Sequence, residues 1–441
     1  MKKLLFIIQS YPSERSANVN CDEKIMQALL RTGKYEIHCL TYQYDRQPLE
    51  DRINGFFVHR FRKGWVWDLY TWARHHGTSP VAKLILFLHK FHLRLKQLVC
   101  IPIYPCYEPI NCRRYVKAAE ALQAREHFDL VFAEHNGFDT LYAGSQLKKK
   151  HPKLIFVAAL WDPFTGKKSA KYLPRAYCEK KMQRSEAALL TRADRIIAMQ
   201  ASLPYHRKHS TRKTYYPRFR FFDLPGIVPP MASPCDTEFL IPGKINLLYA
   251  GLLNLPERDP TALLQALGKL SVAAKLNLIF LCSGEGAALL NRLRPSFPGT
   301  LTVHSFVDQQ TLASVMEGAD GFLNIGGSNP LMVPSKLFQY FSYGKPVISA
   351  CQIAADACKP YLDRYPLGIC LLPNESEADQ NRRLESFFAD RIGERLPFAS
   401  VEKLFPEQSP SAYVDLINEL CGVDQASSAA ESDDIGDEDE I

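Results

Sequence analysis

The sequence predicts an α/β protein made of two doubly wound domains in tandem. Strand-like runs alternate with helical patterns along the chain, and most of these runs are apolar without interruption. Uninterrupted apolar runs are typical of parallel strands that are buried on both faces, and regular alternation with helices is typical of doubly wound sheets. The length of 441 residues agrees with this, because it corresponds to roughly two to three domains.

Six strands are predicted in each half of the chain. In the first half they lie at residues 3–9, 35–42, 56–61, 130–135, 153–160 and 195–200. Helical patterns at 23–31 and 114–125 separate some of them. In the second half the strands lie at 245–251, 276–284, 301–307, 321–325, 347–350 and 368–372.

The domain boundary is predicted at a Pro-rich segment, residues 224–243, because such a composition favours an extended connection. The first domain then covers 1–223 and the second 244–421, with a last helix that is free to cross back. The final residues, 422–441, are predicted to form a disordered acidic tail. The whole chain has a net charge of +7, and without the eight acids of the tail the remaining residues carry +15. The tail could increase solubility or shield a basic surface.

The composition excludes several classes of protein. No apolar run reaches the roughly 18 residues of a membrane-spanning helix, and the apolar start of the chain is too short for a signal peptide. No pair among the twelve cysteines has Cys-x-x-Cys spacing, so reduced cysteines in a cytoplasmic protein are predicted, rather than a metal site or disulfides at Cys100, Cys106 and Cys112. No pattern of a nucleic-acid-binding module is present.

Residues 321–350 are the most informative segment. An apolar strand is followed by Gly326-Gly327-Ser328-Asn329-Pro330, and a helix is predicted to begin near Ser335 and to end at Gly344 before another strand. Free backbone N–H groups at the helix start, together with Lys336, suit a phosphate. A lysine in a first helical turn is unfavourable unless an anion lies nearby, so Lys336 is the strongest candidate ligand.

The run Pro334-Ser335-Lys336-Leu-Phe-Gln339 and the following Gly344-Lys345-Pro346 resemble the donor-site signature of glycosyltransferases with the GT-B fold. They look most like glycosyltransferase family 4, which includes bacterial lipopolysaccharide and capsule enzymes. The resemblance covers roughly residues 1–400 and is strong in 321–350. It implies two Rossmann-like domains that face each other across a cleft, a nucleoside-diphosphate sugar as donor, and no metal or other cofactor. Family members carry Glu at the positions of Leu331 and Gln339, so this chain departs at both.

The resemblance also implies donor-site residues elsewhere in the second domain. Gly251 ends its first strand, and Arg258 in the next loop is the candidate diphosphate ligand, with a surface arginine beside Asp259 as the alternative. Gly284 and Gly286 resemble the turn that borders the base. The full set of predicted donor residues is Gly251, Arg258, Gly284, Gly286, Ser335, Lys336 and Gln339.

In the first domain the resemblance implies acceptor-side and catalytic residues. Ser16, Ala17 and Asn18 look like a variant of the Gly-Gly loop that approaches donor and acceptor. His135 is the candidate contact to the donor sugar. If the alignment with the family is shifted by one position, Glu134 is the candidate instead. Asp162 is a candidate base or acceptor ligand, or the start of a turn before Pro163. Retention with the leaving phosphate as base is expected, while inversion with Asp162 or Glu134 as base stays open.

Residues 63–108 are predicted to be a basic, aromatic insert, because no acid lies between Asp68 and Glu108. Apolar residues at helical spacing alternate there with lysines, arginines and histidines. Such a helix could lie on an anionic bilayer or bind a lipid-linked acceptor; alternatively, it packs on the first domain. A second basic cluster lies at 206–220.

The sequence therefore predicts a cytoplasmic glycosyltransferase, and a peripheral location at the inner face of the membrane stays open. Its donor would be a nucleotide sugar and its acceptor a polysaccharide, a lipid-linked sugar or another glycan, with no nucleic acid as partner. Two alternatives remain open. One is a GT-B protein that binds or scaffolds without catalysis, and the other is a nucleotide-sugar 2-epimerase.

Overall fold

The computed structural model describes residues 1–9, 11, 17–44, 47–135, 137–161, 173–231 and 238–423. These residues form two β-sheets with helices on both faces, which confirms the predicted α/β class. The strands are β1 Lys2–Ile7, β2 Tyr35–Tyr42, β3 Glu50–Ile53, β4 Phe56–Phe61, β5 Leu130–Glu134, β6 Ile155–Leu160, β7 Arg195–Met199, β8 Phe219–Phe222, β9 Ile245–Leu252, β10 Leu276–Ser283, β11 Thr300–His304, β12 Gly321–Ile325, β13 Val347–Ala350 and β14 Gly368–Leu371.

Helices connect most of these strands, as expected for parallel pairing. They are α1 Ala17–Arg31, α2 Trp65–His75, α3 Pro80–Val99, α4 Pro109–Glu126, α5 Phe138–Lys150, α6 Arg175–Leu190, α7 Leu203–Ser210, α8 Thr261–Gly268, α9 Glu285–Leu293, α10 Gln309–Gly318, α11 Ser335–Ser342, α12 Lys359–Arg364, α13 Glu377–Arg391, α14 Phe398–Leu404 and α15 Pro410–Cys421.

The first sheet has the order β3-β4-β2-β1-β5-β6-β7-β8. All its neighbours pair in parallel except β3 and β4, which form an antiparallel hairpin. Asn54 and Gly55 make the turn of that hairpin, both at positive φ, which a two-residue turn of this kind requires. The strand order reverses between β1 and β5, so a crevice opens beyond the carboxyl ends of these two strands.

The second sheet is entirely parallel, in the order β11-β10-β9-β12-β13-β14. Its order reverses between β9 and β12, which places a second crevice beyond their carboxyl ends. The helix predicted near Ser335 is α11, and it follows the loop after β12. The two crevices are where a doubly wound protein is expected to bind its ligands.

One apolar core extends across both domains. It includes Leu4 and Ile25 of the first domain, Leu248 and Phe338 of the second, and Tyr413 of α15. The last helix, α15, lies on α1, and the Tyr35 hydroxyl donates a hydrogen bond to Asn418 Oδ1 at 2.5 Å. Helix α15 therefore packs on the first domain.

The expectation of uniformly reduced cysteines is wrong for one pair. Cys351, which follows β13, and Cys370 in β14 form a disulfide, with Cα atoms 6.6 Å apart. Parallel pairing brings these two residues together although 19 positions separate them. Cys100, Cys106 and Cys112 are free thiols. No helix in the described ranges is long and apolar enough to cross a membrane.

Candidate functional site

The site is built around α11, which the second domain holds against the end of β9. One face of α11 is buried, and Tyr340 on that face stacks on Phe322 with ring centroids 4.7 Å apart. The Tyr340 hydroxyl accepts a hydrogen bond from the Ala250 N–H at 2.8 Å. These contacts fix the helix, so its half-buried residues, including Lys336 and Gln339, have defined positions beyond the sheet.

Lys336 lies in a desolvated position in the first turn of α11. Its Nζ donates to Gln339 Oε1 at 2.9 Å, and Gln339 Nε2 in turn donates to Met316 Sδ at 3.6 Å. Lys336 makes no ion pair with a described residue. Burial lowers the pKa of Lys336 to about 8, and repulsion by Lys24 contributes to this lowering. Among the described residues, none supplies a counter-ion for this cation.

Lys24 on α1 brings a second cation to the same place from the first domain. Burial lowers its pKa as well, and no hydrogen bond or ion pair joins it to the described part of the chain. Two like charges that are both desolvated repel each other, and this costs free energy unless an anion lies between or beside them. The two lysines are therefore candidate ligands for an anion where the two domains meet.

Arg258 lies at the same edge of the second sheet. Its Nη1 donates to Leu252 O at 3.3 Å, so the side chain folds back over the end of β9. The guanidinium is close enough to Tyr340 and Asp356 to lower the pKa of both, against a larger rise caused by their burial. Arg258 is therefore near α11, and its predicted contact with a diphosphate remains a prediction.

The predicted glycines at this edge have structural reasons to be glycines. Gly284 has φ +100°, and a Cβ on it would meet the Leu253 carbonyl oxygen. A Cβ on Gly286 would lie 2.6 Å from Leu253 Cβ, and one on Gly251 would lie 3.3 Å from the Tyr249 hydroxyl. Close packing of the turn after β10 on the loop after β9 thus requires Gly284 and Gly286, whatever binds there.

No protein-family model and no curated protein matches the sequence, but solved structures match almost the whole chain. Sucrose-phosphate synthase from Thermosynechococcus elongatus is 14% identical with a TM-score of 0.63, and the match covers 95% of this chain and 98% of that one. The catalytic domain of starch synthase IV from Arabidopsis thaliana, bound to ADP and acarbose, is 11% identical with a TM-score of 0.59, covering 96% and 98%. A trehalose-6-phosphate protein from E. coli, bound with UDP-2-fluoro glucose, is 12% identical with a TM-score of 0.59, covering 95% and 99%. This chain has the GT-B fold.

In the first GT-B domain, the predicted residue Glu134 is fully buried at the end of β5. Its Oε1 accepts the Gln9 N–H at 3.2 Å, and its carboxyl group faces Asp22 of α1. Asp22 is also fully buried and accepts a hydrogen bond from Trp161 Nε1 at 3.1 Å. Burial and the Glu134 charge raise the pKa of Asp22, so the two carboxyl groups hold a proton between them. Glu134 is thus kept away from solvent, and its hydrogen bond with the Gln9 N–H orients the chain that follows β1.

His135 is the next residue, and it is buried as well. Its backbone N–H donates to Ala159 O at 2.7 Å, and its Nδ1 lies 3.2 Å from Gly137 O. A carbonyl oxygen only accepts, so Nδ1 carries a hydrogen in this contact. A Cβ on Gly137 would lie 2.9 Å from Gln9 Nε2, which shows that the ends of β1 and β5 meet here. The predicted contact of His135 with a donor sugar remains a prediction.

The remaining predicted residues of the first domain are placed only in part. Ser16 and Asp162 lie outside the described residues. Ala17 is the first residue of α1, and Asn18 is half-buried in its first turn. Ser335 begins α11 and is half-buried. The structure thus brings Lys336 and Gln339 into contact, and it places Glu134 beside His135 on the opposite domain.

Gln339 and Leu331 are the two positions at which the sequence departs from the glycosyltransferase signature that it resembles. Gln339 offers an amide oxygen to Lys336, so the lysine is oriented without being neutralised. Leu331 contributes its backbone N–H to Asn329 Oδ1 at 3.0 Å, and its side chain has no polar atom. Lys345 of the signature has a structural place, because it donates to the Met316 and Ala319 carbonyls and caps α10.

One group of potential metal ligands occurs in the described ranges, and it lies away from this site. Glu36, His38 and Glu126 come together near the amino ends of β1 and β2. Lys3 Nζ lies 3.1 Å from Glu36 and 2.9 Å from Glu126, so its ammonium group already supplies a positive charge there. The residues fit an ion-paired cluster.

Sequence reasoning missed Lys24 and Asp22. Asp22 could have been found, because it interrupts an apolar stripe formed at helical spacing by Val19, Met26 and Leu29, and an acid among core positions is costly without a partner. Lys24 carries no such signal. Its importance comes from the opposite domain, whose position the local pattern around α1 does not report.

Proposed function

We propose that this protein is a glycosyltransferase that transfers a sugar from a nucleoside-diphosphate sugar to an acceptor. The observation that carries the proposal is the pair Lys24 and Lys336, two desolvated lysines from different domains with no described acid paired to either. A diphosphate carries enough negative charge to neutralise both. The solved GT-B structures with bound UDP-2-fluoro glucose or ADP support this choice of ligand class.

The proposed chemistry depends on charge. As the bond between sugar and diphosphate breaks, negative charge grows on the departing phosphate, and cations placed beforehand stabilise it. Gln339 already orients Lys336, so the lysine loses little conformational entropy when it binds the phosphate. Lys24 adds its charge from the first domain. We propose retention, with the leaving phosphate as base and without a metal ion, since Glu134 is buried away from an acceptor.

We further propose that the acceptor is a lipid-linked sugar or another glycan, and that the protein acts as a peripheral protein at the inner face of the membrane. Support comes from the first domain, where α2 and α3 expose many apolar side chains next to basic ones. An acceptor that is anchored in lipid would be reached from such a position.

A second candidate function is binding of a nucleotide sugar without transfer. It is favoured by Leu331, whose side chain offers no polar atom where family members have a glutamate. This candidate predicts donor affinity without a product. Mass spectrometry of reactions with a glycan acceptor, and the anomeric configuration of any product by NMR, separate it from transfer.

The donor site is tested by calorimetric titration with UDP-, GDP-, ADP- and CMP-sugars. We expect at least one to bind, and Lys24→Met and Lys336→Met each to weaken that binding by about 10- to 100-fold, the range for a hydrogen bond to a charged group. Lys275→Met, an exposed lysine at the far side of the second sheet, is the control and should bind normally. Binding of no sugar nucleotide would refute the proposal, and unchanged affinity in both variants would refute the diphosphate position.

The pH dependence gives a second readout. Lys336 has a pKa of about 8 in the free protein, so below pH 8 it is already charged and binds an anion without taking up a proton. Above pH 8 binding requires proton uptake, so donor affinity should fall by up to about tenfold per pH unit. Titrations in buffers of different ionisation enthalpy measure that uptake. Lys336→Met should reduce it, and an unchanged proton uptake would contradict the assignment.

A further inference from the structure

The helical hairpin of α2 and α3 projects from the first domain and is anchored on one side only. Trp67 packs against Tyr42, with ring centroids 5.5 Å apart, and Lys63 Nζ lies 4.0 Å from the centre of the Trp67 ring. In α3, Ala82 is buried and His89 stacks on Tyr70 of α2 at 4.2 Å. These contacts fix one face of the hairpin and leave the other face without a described neighbour.

The outer face of α3 carries a continuous apolar stripe. Its six residues recur at spacings of three and four and are between 47% and 62% exposed: Val81, Leu84, Leu88, Phe91, Leu95 and Leu98. From Val81 to Leu98 this stripe is about 26 Å long. On α2, Trp65 and Trp72 are exposed as well, Trp65 to 73%. Packing on the first domain, one of the two predicted explanations for this apolar pattern, does not account for these residues.

The charges beside the stripe all have one sign. Lys83, Lys90 and Arg94 are exposed, and none forms an ion pair with a described residue. From residue 69 to residue 107 the sequence has no acid. A partner for this face must therefore offer apolar groups to the stripe and negative charge to its flanks.

Two candidates for that partner fit poorly. A second copy that packs its own α3 on this stripe would place lysines and arginines against one another with no acid to pair them. The acidic tail of this chain offers negative charge, but its only apolar residues larger than alanine are Val423, Ile435 and Ile441, which cannot cover a six-residue stripe.

We infer that the α2–α3 hairpin is a docking surface for an anionic lipid bilayer. The stripe would enter the boundary between headgroups and acyl chains, while the cations lie among the anionic headgroups, as in interfacial amphipathic helices. Exposed tryptophans on α2 suit the same boundary. The inference deepens the proposed membrane location, on which it rests, and it requires no donor, so its test can fail while donor binding is still observed.

The test uses the full-length protein and vesicles of phosphatidylcholine, either alone or with about a third of phosphatidylglycerol. We expect flotation with the anionic vesicles and little with the neutral ones. Bromine-labelled lipid should quench the tryptophan fluorescence, and the combined variant Trp65→Phe and Trp72→Phe should lose that quenching.

Two sets of substitutions separate the apolar from the charged contribution. Leu84→Gln, Leu88→Gln and Phe91→Gln together should weaken binding to anionic vesicles at least about tenfold. Lys83→Gln, Lys90→Gln and Arg94→Gln together should weaken it by about a hundredfold, and salt should lower wild-type binding in the same direction. Lys275→Gln, Arg292→Gln and Arg294→Gln, three exposed cations of the second domain, form the control set and should bind like the wild type.

Three outcomes would overturn the inference. One is the absence of wild-type binding to anionic vesicles, and another is equal binding by the stripe variant. The third is a lipid-free dimer, detected by light scattering, that the stripe substitutions convert to a monomer. Such a result would assign this face to a second copy of the chain. Circular dichroism of each variant verifies that its helices are intact.

Discussion

Two carboxyl groups are buried next to each other at the end of the first sheet. Asp22 and Glu134 are both fully buried and face each other, and the Trp161 indole and the Gln9 N–H donate to them. Two carboxylates in such a place cannot both be charged, so one proton remains with the pair. The pair then connects α1, β5 and the residues that follow β1 and β6.

Substitution of Asp22 tests this shared proton. In the unfolded chain Asp22 releases its proton near its ordinary pKa, whereas burial raises the pKa of Asp22 in the folded protein. The free energy of unfolding therefore falls as the pH rises from the unfolded pKa towards the folded one. Asp22→Asn removes the decline, because asparagine is neutral at every pH. Urea unfolding at pH 5 and pH 8 should show Asp22→Asn gaining stability relative to the wild type at the higher pH.

Asp22→Ala is the matched variant. It removes the acceptor of Trp161 and leaves Glu134 alone, so we expect a loss of about 2–3 kcal/mol at neutral pH. If the wild type and Asp22→Asn keep the same difference in stability at both pH values, the carboxyl pair does not share a proton.

Residue-level prediction from sequence worked where a residue acts within its own segment. Gly344 ends α11 at φ +68°, as its position after the apolar run indicated. Lys336 stood out because a lysine in a first helical turn is unfavourable by itself. Lys24 and Asp22 act through neighbours that are far away in sequence, such as Lys336 and Glu134, and no local pattern contains those distances.

At the scale of elements, α6 and α7 meet through an ionisable pair in the core. Glu186 of α6 and His206 of α7 are both buried, and His206 Nδ1 lies 3.9 Å from Glu186 Oε1. Burial raises the pKa of Glu186 to about 8 and lowers the pKa of His206 to about 4. At neutral pH both side chains are mainly uncharged, so the contact between the helices is polar rather than ionic.

Glu186→Gln should therefore stabilise the protein at high pH. The unfolded glutamate ionises near pH 4.5 and the folded one near pH 8, so between these values the wild type loses up to about 1.4 kcal/mol per pH unit that glutamine does not lose. Thermal or urea unfolding from pH 5 to pH 8 should show the variant gaining about 3–4 kcal/mol across that range. Glu179→Gln, which removes an exposed acid from the same helix, is the control and should stay within about 0.5 kcal/mol.

Elements were predictable where burial dictates composition. All twelve predicted strands occur, because strands covered on both faces need unbroken apolar runs. The two strands that were missed lie at or near the edges of the first sheet. β3 is Glu-Asp-Arg-Ile with three exposed residues, although Asn54-Gly55 after it marks a hairpin, and β8 places Arg220 within an aromatic run that was assigned to a basic cluster.

At the scale of the whole molecule, Asp223 lies at the junction of the two domains and is hydrogen-bonded by residues of both. It is fully buried where the first domain ends, and its Oδ1 accepts the Gln200 N–H at 3.0 Å. Its Oδ2 accepts the Tyr361 hydroxyl at 2.5 Å and Gln408 Nε2 at 2.7 Å. One carboxyl group thus receives hydrogen bonds from the first domain, from α12 of the second, and from the segment that returns to the first.

Asp223→Ala should loosen this junction. Three donors lose a buried acceptor, so we expect a loss of about 3 kcal/mol and, in calorimetry, separate transitions for the two domains. Tyr361→Phe removes one of the three bonds and should cost about 1 kcal/mol. Asp363→Ala, an exposed acid on α12, is the control. A single unaltered transition in Asp223→Ala would show that the apolar core alone couples the domains.

The two doubly wound domains were predictable because each half of the chain repeats the same alternation, and the two sheet orders confirm them. The way in which the domains join was not. Asp223 is a lone acid before a Pro-rich segment, and its partners Tyr361 and Gln408 lie 138 and 185 positions away. Such contacts depend on where folded units meet, and the periodicity of a segment does not report that.

The return of α15 to α1 also has a consequence for biosynthesis. Tyr35 of β2 and Asn418 of α15, which are joined by a hydrogen bond, are 383 positions apart, and Tyr413, Leu416 and Ile417 of α15 belong to the same core as Ile25 of α1. When the first domain leaves the ribosome, α15 has not been translated, and at ordinary elongation rates it follows on the order of 10–40 s later. Throughout that time the nascent first domain carries an uncovered apolar face, which makes this interval the one in which a chaperone would be needed most.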